Sequence, residues 1–269
     1  MKLGESMKTV LVTGVASGIG KATKEYLLTN NYKVIGLDIF SVDNETNFTS
    51  FKVDITNKDE VNQVLEYLLS NNIKLDAIIN IAGIHKMASL VEEDFETMKK
   101  VIDVNLLGAM LINNKFHSEL KENGRIVIVT SEVANLDPMP FNGLYNVSKT
   151  ALDSYAQALR QELNLINQKV ITIRPGAIET PLSKNSLVDT KDLSIKTKLY
   201  KKQSHKFLGI TKKFMGTPLK PIKVAKLIYK SIASKNPKII YKIHRNPGLV
   251  LLGLLPKRLQ CFIIKLILK

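Results

Sequence analysis

In the stretch GLYNVSKTAL, residues 143–152, Tyr145 precedes Lys149 by one helical turn. On a helix that spacing puts both side chains on one face, where a phenol and an ammonium can converge on one point. A free phenol titrates near pH ~10, and an ammonium beside it favours the phenolate, so Lys149 is expected to draw Tyr145 down toward working pH. That is the chemistry of a general acid/base and its activator. The point of convergence is either a surface or a site, and the rest of the chain has to decide which.

A second candidate is TGVASGIG, residues 13–20, between an apolar run and a helical pattern. Gly14 would make the tight exit from a strand, Gly18 would let the backbone approach a pyrophosphate, and Gly20 would let the helix pack closely on the sheet. The helix N-terminus then offers free N–H groups and partial positive charge to phosphates. A purely structural turn is the alternative. Asp38 ends the next strand about twenty residues on, the place for a carboxylate that accepts from an adenosine ribose. It would repel a 2′-phosphate, and neither positions 39 and 40 nor Ala16 and Ser17 supply a basic residue. NAD(H) is therefore expected over NADP(H), with a helix-capping or loop carboxylate as the competing reading of Asp38.

The elements that must position these groups alternate in a βαβ rhythm with no internal repeat. Strands are expected at 8–14, 32–38, 48–54, 75–83, 124–131, 169–176 and 238–243, and helices at 18–30, 57–71, 92–118, 144–165 and 221–234. A less regular helical region is expected over 183–215. Near-continuous apolar character in the first, fourth and fifth strands points to a parallel sheet buried on both faces.

Taken together the residues resemble the short-chain dehydrogenase/reductase family over about 7–182, more loosely to about 243. The likeness is carried by TGVASGIG with Ser17 and Ile19 between its glycines, by Asp38, and by VDI with Asp54 and Ile55. NIAG with Asn80, Ala82 and Gly83, VNL with Asn105, a serine after the fifth strand, YNVSK, and RPGAIET complete it. Each motif is weak alone; their joint occurrence in order is specific. The resemblance implies a single-domain, Rossmann-type, doubly wound α/β fold, with a seven-stranded parallel sheet flanked by helices on both faces and a C-terminal helical extension. It implies an NAD(P)-dependent oxidoreductase that interconverts a secondary alcohol and a ketone or aldehyde by hydride transfer. Tyr145 would be the acid/base, Lys149 its activator and a ligand of the nicotinamide ribose, and Ser131 the group that polarises the substrate oxygen. Asn105 would anchor a water that links Lys149 to solvent. Asp54 would contact the adenine, Pro175 and Gly176 would shape the turn beside the nicotinamide, and the Ile178 backbone with the Thr180 hydroxyl would hold its carboxamide. For Thr180 a plain helix cap competes.

One departure concerns the serine, which usually lies thirteen residues before the tyrosine; here that position is Glu132, and Ser131 lies one residue earlier. A one-residue insertion in the loop EVANLDPMPFNGL and the loss of the serine from an inactive homologue both account for it. Pro138, Pro140 and Gly143 mark a loop that can absorb a residue, which favours insertion and gives Glu132 a minor role.

Composition bounds the rest. The chain has 269 residues, 45% hydrophobic and 23% charged, enough for one large core. Its one cysteine, Cys261, excludes an internal disulfide, and the scattered His85, His117, His205 and His244 offer no metal-ligand spacing. A reducing cytoplasm fits, and the N-terminal apolar run is too short for a signal peptide. The net charge of +15 lies in the C-terminal third, where residues 183–269 hold 21 Lys/Arg against 2 Asp/Glu. Those lysines are spread singly, so no nucleic-acid partner is expected. A catalytic domain over 7–245, with a substrate lid near 183–215, would precede an amphipathic tail over 246–269. In that tail Leu259, Phe262, Ile263, Leu266 and Ile267 form one apolar stripe with basic neighbours. The stripe would touch an anionic membrane surface peripherally, or pack on the lid or a partner subunit of a homodimer or homotetramer. A lipophilic alcohol or ketone is the expected substrate; a 3-oxoacyl-[acyl-carrier-protein] reductase and a non-catalytic nucleotide-binding homologue are the alternatives.

Overall fold

Val10, Leu11 and Val12 are consecutive and all wholly buried, which a strand allows only when both of its faces are covered. The computed structural model, which describes residues 7–214 and 217–269, shows how. Strands β1 (Lys8–Thr13), β2 (Tyr32–Asp38), β3 (Phe48–Lys52), β4 (Leu75–Asn80), β5 (Leu120–Val129), β6 (Lys169–Pro175) and β7 (Ile240–Ile243) form one sheet in the order β3-β2-β1-β4-β5-β6-β7. Every pairing is parallel. Leu11, Ile78, Ile126 and Ile128 point into a core closed by helices α2 (Lys58–Ser70), α4 (Ala109–Phe116) and α5 (Gly143–Asn164). Val10, Val12, Ile79, Val127 and Ile171 point the other way, onto α1 (Gly18–Thr29) and α8 (Pro221–Ala233). Each such side chain contributes about 1.5–3 kcal/mol, so the two-sided sheet is rigid enough to hold polar groups buried at its edge. Strand order reverses between β1 and β4, and the crevice opened there at the strand C-termini is where this architecture places its ligands.

The order of strands and helices follows the expected pattern; strand ends shift, β5 running Leu120–Val129 rather than 124–131, and two helical regions need correction. The expected helix over 92–118 is broken: Asp94 caps α3 (Phe95–Ile102), a π turn spans Asp103–Gly108 before α4, and a 3₁₀ turn over His117–Glu119 follows. The side chain of Asn105 in the π turn is tied to the backbone of Ile84, and π turns commonly mark functional positions. The region expected to be irregular is two regular helices, α6 (Pro181–Lys196) and α7 (Lys201–Phe214), with residue 215 outside the described residues. Its helical period is masked because α6 buries Ser186, Thr190 and Ser194, hydroxyl residues that read as polar; Thr190 bonds back to the Ser186 carbonyl at 2.8 Å and Ser194 to that of Lys191 at 2.7 Å.

The tail forms α9 (Pro247–Gly253) and α10 (Lys257–Leu268), divided at Pro256. Ile264 and Leu268 pack into an apolar cluster with Met87, Phe141, Leu193 and Phe207. Leu259, Phe262, Leu266 and Ile267 on the rest of α10 are exposed. None of the described helices is long and apolar enough to cross a membrane.

Candidate active site

The turn after β1 requires its glycines. Gly14 has φ +78° and Gly18 φ +54°, and a Cβ on Gly20 would lie 1.8 Å from the Gly14 carbonyl oxygen. Ser17 occupies the N-cap of α1 without a side-chain cap, and the first turn carries no acidic residue, so the N–H groups and the positive end of α1 face outward for an anion. Ile19 follows at the first turn of α1. Asp38 closes the rim: its carboxylate accepts from the Ala16 N–H at 2.9 Å and from the Phe40 N–H at 3.0 Å. Asp54 is exposed and holds Thr56 through both backbone and hydroxyl, while Ile55 beside it is buried.

β4 ends at Asn80 rather than 83 because the Thr13 hydroxyl takes the N–H groups of Ile81 and Ala82, at 3.0 and 3.1 Å, away from the sheet. Asn80 itself is buried and bonds Asn113 at 2.8 Å. The redirected chain puts Gly83 against the catalytic candidates: a Cβ there would lie 3.0 Å from Asn105 Oδ1 and 3.3 Å from Lys149 Nζ. The Asn105 amide accepts from Ile84 N–H at 2.7 Å and donates to the Ile84 carbonyl and the Ser148 hydroxyl, both at 2.9 Å.

Ser131 follows β5; its hydroxyl accepts from the Val133 N–H at 3.3 Å and lies near enough to the Tyr145 phenol to lower its pKa. Glu132 turns away from the phenol, so the structure brings Ser131 to the tyrosine. Lys149 is buried one turn below, its Nζ 3.4 Å from the Val129 carbonyl and 5.9 Å from the Tyr145 ring centroid. The electrostatics correct the sequence expectation. Burial pushes Tyr145 up to about 12, opposed only in part by Ser131. Burial also brings Lys149 down to about 8. Burial dominates both shifts, because either group would have to carry its charge away from water.

Pro175 ends β6, Gly176 donates to the Ile243 carbonyl at 2.9 Å, and Ile178 bridges to Leu219. Thr180 caps α6 in a reciprocal box with Ser183. Its methyl also meets Gly18, so that a Cβ on that glycine would lie 3.0 Å from Thr180 Cγ2. The glycine turn thus meets the loop after β6 through Gly18 and Thr180 and the loop after β4 through Gly14 and Ala82, and Gly83 of that loop meets Lys149.

The short chain dehydrogenase family model matches residues 8–191. The chain belongs to that family. This dehydrogenase is 26% identical over 236 residues to a 3-ketodihydrosphingosine reductase of Bacteroides thetaiotaomicron, covering 87% of each chain. It is 33% identical over 190 residues to an NADPH-dependent 1-acyldihydroxyacetone phosphate reductase of Schizosaccharomyces pombe, covering 68% of this chain and 64% of that one. A solved structure of a short chain dehydrogenase family protein from Francisella tularensis superposes with a TM-score of 0.74 at 26% identity, covering 88% of this chain and 97% of the other. The dehydrogenase is thus an NAD(P)-dependent oxidoreductase of alcohols and ketones.

Sequence reasoning missed two groups that shape its site. His85 stacks on Tyr145 with ring centroids 4.4 Å apart, bonds Asn142 at 3.0 Å, and is lowered to about 4 by burial. It is neutral at ordinary pH. Ser148 links Tyr145 and Asn105, donating to the Tyr145 carbonyl at 2.8 Å. His85 stands two residues after NIAG and Ser148 one before Lys149, so proximity to the motifs was the available signal.

Proposed function

We propose that the enzyme reduces the ketone of a lipophilic substrate, with Tyr145 as proton donor, Ser131 as the donor that fixes the carbonyl oxygen, and Lys149 as the buried base beneath them. The nearness of Ser131 to the Tyr145 phenol, with Lys149 buried on the same helix and against Gly83, carries this reading. The residues fit a nicotinamide dinucleotide: Gly14, Ser17, Gly18, Ile19 and Gly20 would cradle the pyrophosphate, and Asp38 the adenosine ribose. Asp54 and Ile55 would flank the adenine. Asn80, Ala82 and Gly83 would form the floor, and Lys149 would hold the nicotinamide ribose. Pro175, Gly176, Ile178 and Thr180 would hold the nicotinamide end. The bound dinucleotide supplies or accepts hydride at the nicotinamide C4. Asn105 has its amide engaged by Ile84 and Ser148, which leaves the backbone of the π turn to serve a relay water. Purified protein with NADH or NADPH and a panel of ketones, steroids and acyl thioesters tests the reading; no turnover with any of them would overturn it.

NAD(H) is the proposed cofactor, supported by Asp38 at the rim. Relative affinity, measured by titration, should favour NAD(H) by about tenfold or more, since a 2′-phosphate would be repelled by the Asp38 carboxylate, with no basic residue at positions 16, 17, 39 or 40 to offset it. An Asp38→Ala, Ile39→Arg variant should erase that preference. Equal affinities in the native protein would sink the assignment.

Residues 7–245 are the proposed catalytic unit and 246–269 an appended tail. The tail is proposed to rest peripherally on an anionic membrane of the cytoplasm, supported by the exposed Leu251, Leu254, Leu259, Phe262, Leu266 and Ile267 beside Lys257, Arg258, Lys265 and Lys269. Each basic residue near such a surface adds about 1 kcal/mol. The two relatives named for a ketone on a sphingoid or acyl lipid support the same substrate class. The protein should sediment with anionic vesicles at low salt, and Phe262→Ser with Leu266→Ser should leave it in the supernatant. If both stay in the supernatant and the native chain forms the larger oligomer, the stripe is an assembly face. A homodimer or homotetramer is also proposed, supported by the exposed apolar side chains of Leu107, Met110 and Val147.

A further inference from the structure

Glu132 is a carboxylate buried beside Ser131 in a site that also buries Asn105, Ser148 and Lys149. Its Oε2 accepts from the backbone N–H of Asn246 at 2.7 Å, the residue that caps α9. Its Oε1 lies 2.9 Å from where a Cβ on Gly176 would stand, so it also faces the loop after β6. Burial raises its pKa, against the Asn246 N–H and the nearby Arg245 and His244, which lower it. The turn that follows, Glu132–Asn135, is fastened on its other side by α5. Asn146 donates to the carbonyls of Val133 and Leu136 at 2.7 and 3.2 Å, and Thr150 to that of Ala134 at 3.1 Å. Further along, Asp137 pairs with Lys257 at the start of α10. The segment leaving Ser131 is therefore held between α5 and the tail, with Glu132 as its first point of attachment.

We propose that Glu132 is a positioning residue for the reaction: its carboxylate ties the Ser131 turn to the first residue of the tail, so the tail helps fix the serine hydroxyl against Tyr145. The inference rests on the role given above to Ser131. A buried carboxylate at this point would be costly unless its acceptors were used, and the Asn246 N–H uses one of them. The consequence is that the tail belongs to the catalytic machinery as well as to the surface. Truncation at Arg245 would remove the Asn246 donor, so exposed-face substitutions are the proper probe of membrane contact.

A double-mutant cycle on the full chain tests this in ketone reduction. Glu132→Ala should lower kcat about tenfold with the KM for dinucleotide changed less than about twofold, because the lost contact orders a group that acts in the transition state. Glu132→Gln keeps an acceptor oxygen and should restore most of that loss. In a Ser131→Ala background Glu132→Ala should cost less than about twofold more, the mark of residues that act as a unit. Losses that multiply, or a lowered melting temperature with kcat intact, would make Glu132 a structural anchor only and overturn the proposal. If Ser131→Ala itself leaves kcat intact, the serine's proposed role falls instead. Should Glu132→Ala fail to fold, Glu132→Asp, one methylene short of Asn246, takes its place in the cycle.

Discussion

Tyr145→Phe is expected to abolish ketone turnover while leaving dinucleotide binding nearly intact. The phenyl ring keeps the stacking contact with His85, whose ring centroid lies 4.4 Å away, so the crevice should keep its shape. The loss is confined to the hydroxyl, which is the transferable proton and the neighbour of Ser131. The glycine turn and Asp38 do not depend on it. A positioned general acid is worth about 10²–10⁴-fold, and the fall in single-turnover rate should lie in that range. With the phenol pushed up to about 12, the proton is in place throughout neutral pH, so ketone reduction should vary little there. Alcohol oxidation, which needs the phenolate, should rise with pH. Retention of a tenth of native activity by the variant would remove Tyr145 from the mechanism.

The sheet was legible because burial on both faces leaves a plain signature: runs such as VLV and IVIV admit no solvated side, and the glycines and Asp38 fall at strand ends where a crevice must open. The helical character of the region over 183–215 was legible but its regularity was not, since α6 buries serine and threonine whose hydroxyls are satisfied within the helix, and composition counts them as surface. The break at Asn105 escaped for a related reason. Its cause is a tertiary bond to Ile84, 21 residues away, and helical periodicity reports only local neighbours. The pairing of Tyr145 with Lys149 was read correctly as a meeting on one helix face, but the sign of the tyrosine's shift was not. Sequence spacing gives the attraction between the groups, whereas the opposing cost of burial is known only once the crevice around them is built. Glu132 shows the same limit: beside Ser131 it reads as an interrupting residue, and its partner lies 114 positions on.

Lys149→Met should make the dinucleotide-free protein more stable while it ends turnover. Burial lowers Lys149 from 10.5 to about 8, so the fold disfavours the charged form. For a base with a depressed folded pKa the penalty is present in full below pH ~8. It fades as pH rises toward ~10.5, because in that window the unfolded chain binds the extra proton. At about 1.36 kcal/mol per unit, the shift corresponds to a cost of about 3 kcal/mol at neutral pH. Against this stand the 3.4 Å contact with the Val129 carbonyl and the distant Tyr145 ring, a long hydrogen bond worth at most about 1 kcal/mol net and a weak cation–π contact. Methionine fills a similar volume without charge, so a net gain of about 1–2 kcal/mol is expected, or roughly 2–8 °C in melting temperature for a chain of this size. The gain should be largest near pH 6.5 and should shrink by pH 10, where the native lysine is neutral in the fold. Melting curves at those two values decide the matter. A variant that melts lower at pH 6.5 would show the ammonium to be well satisfied where it lies, and the site to be held without cost to the fold.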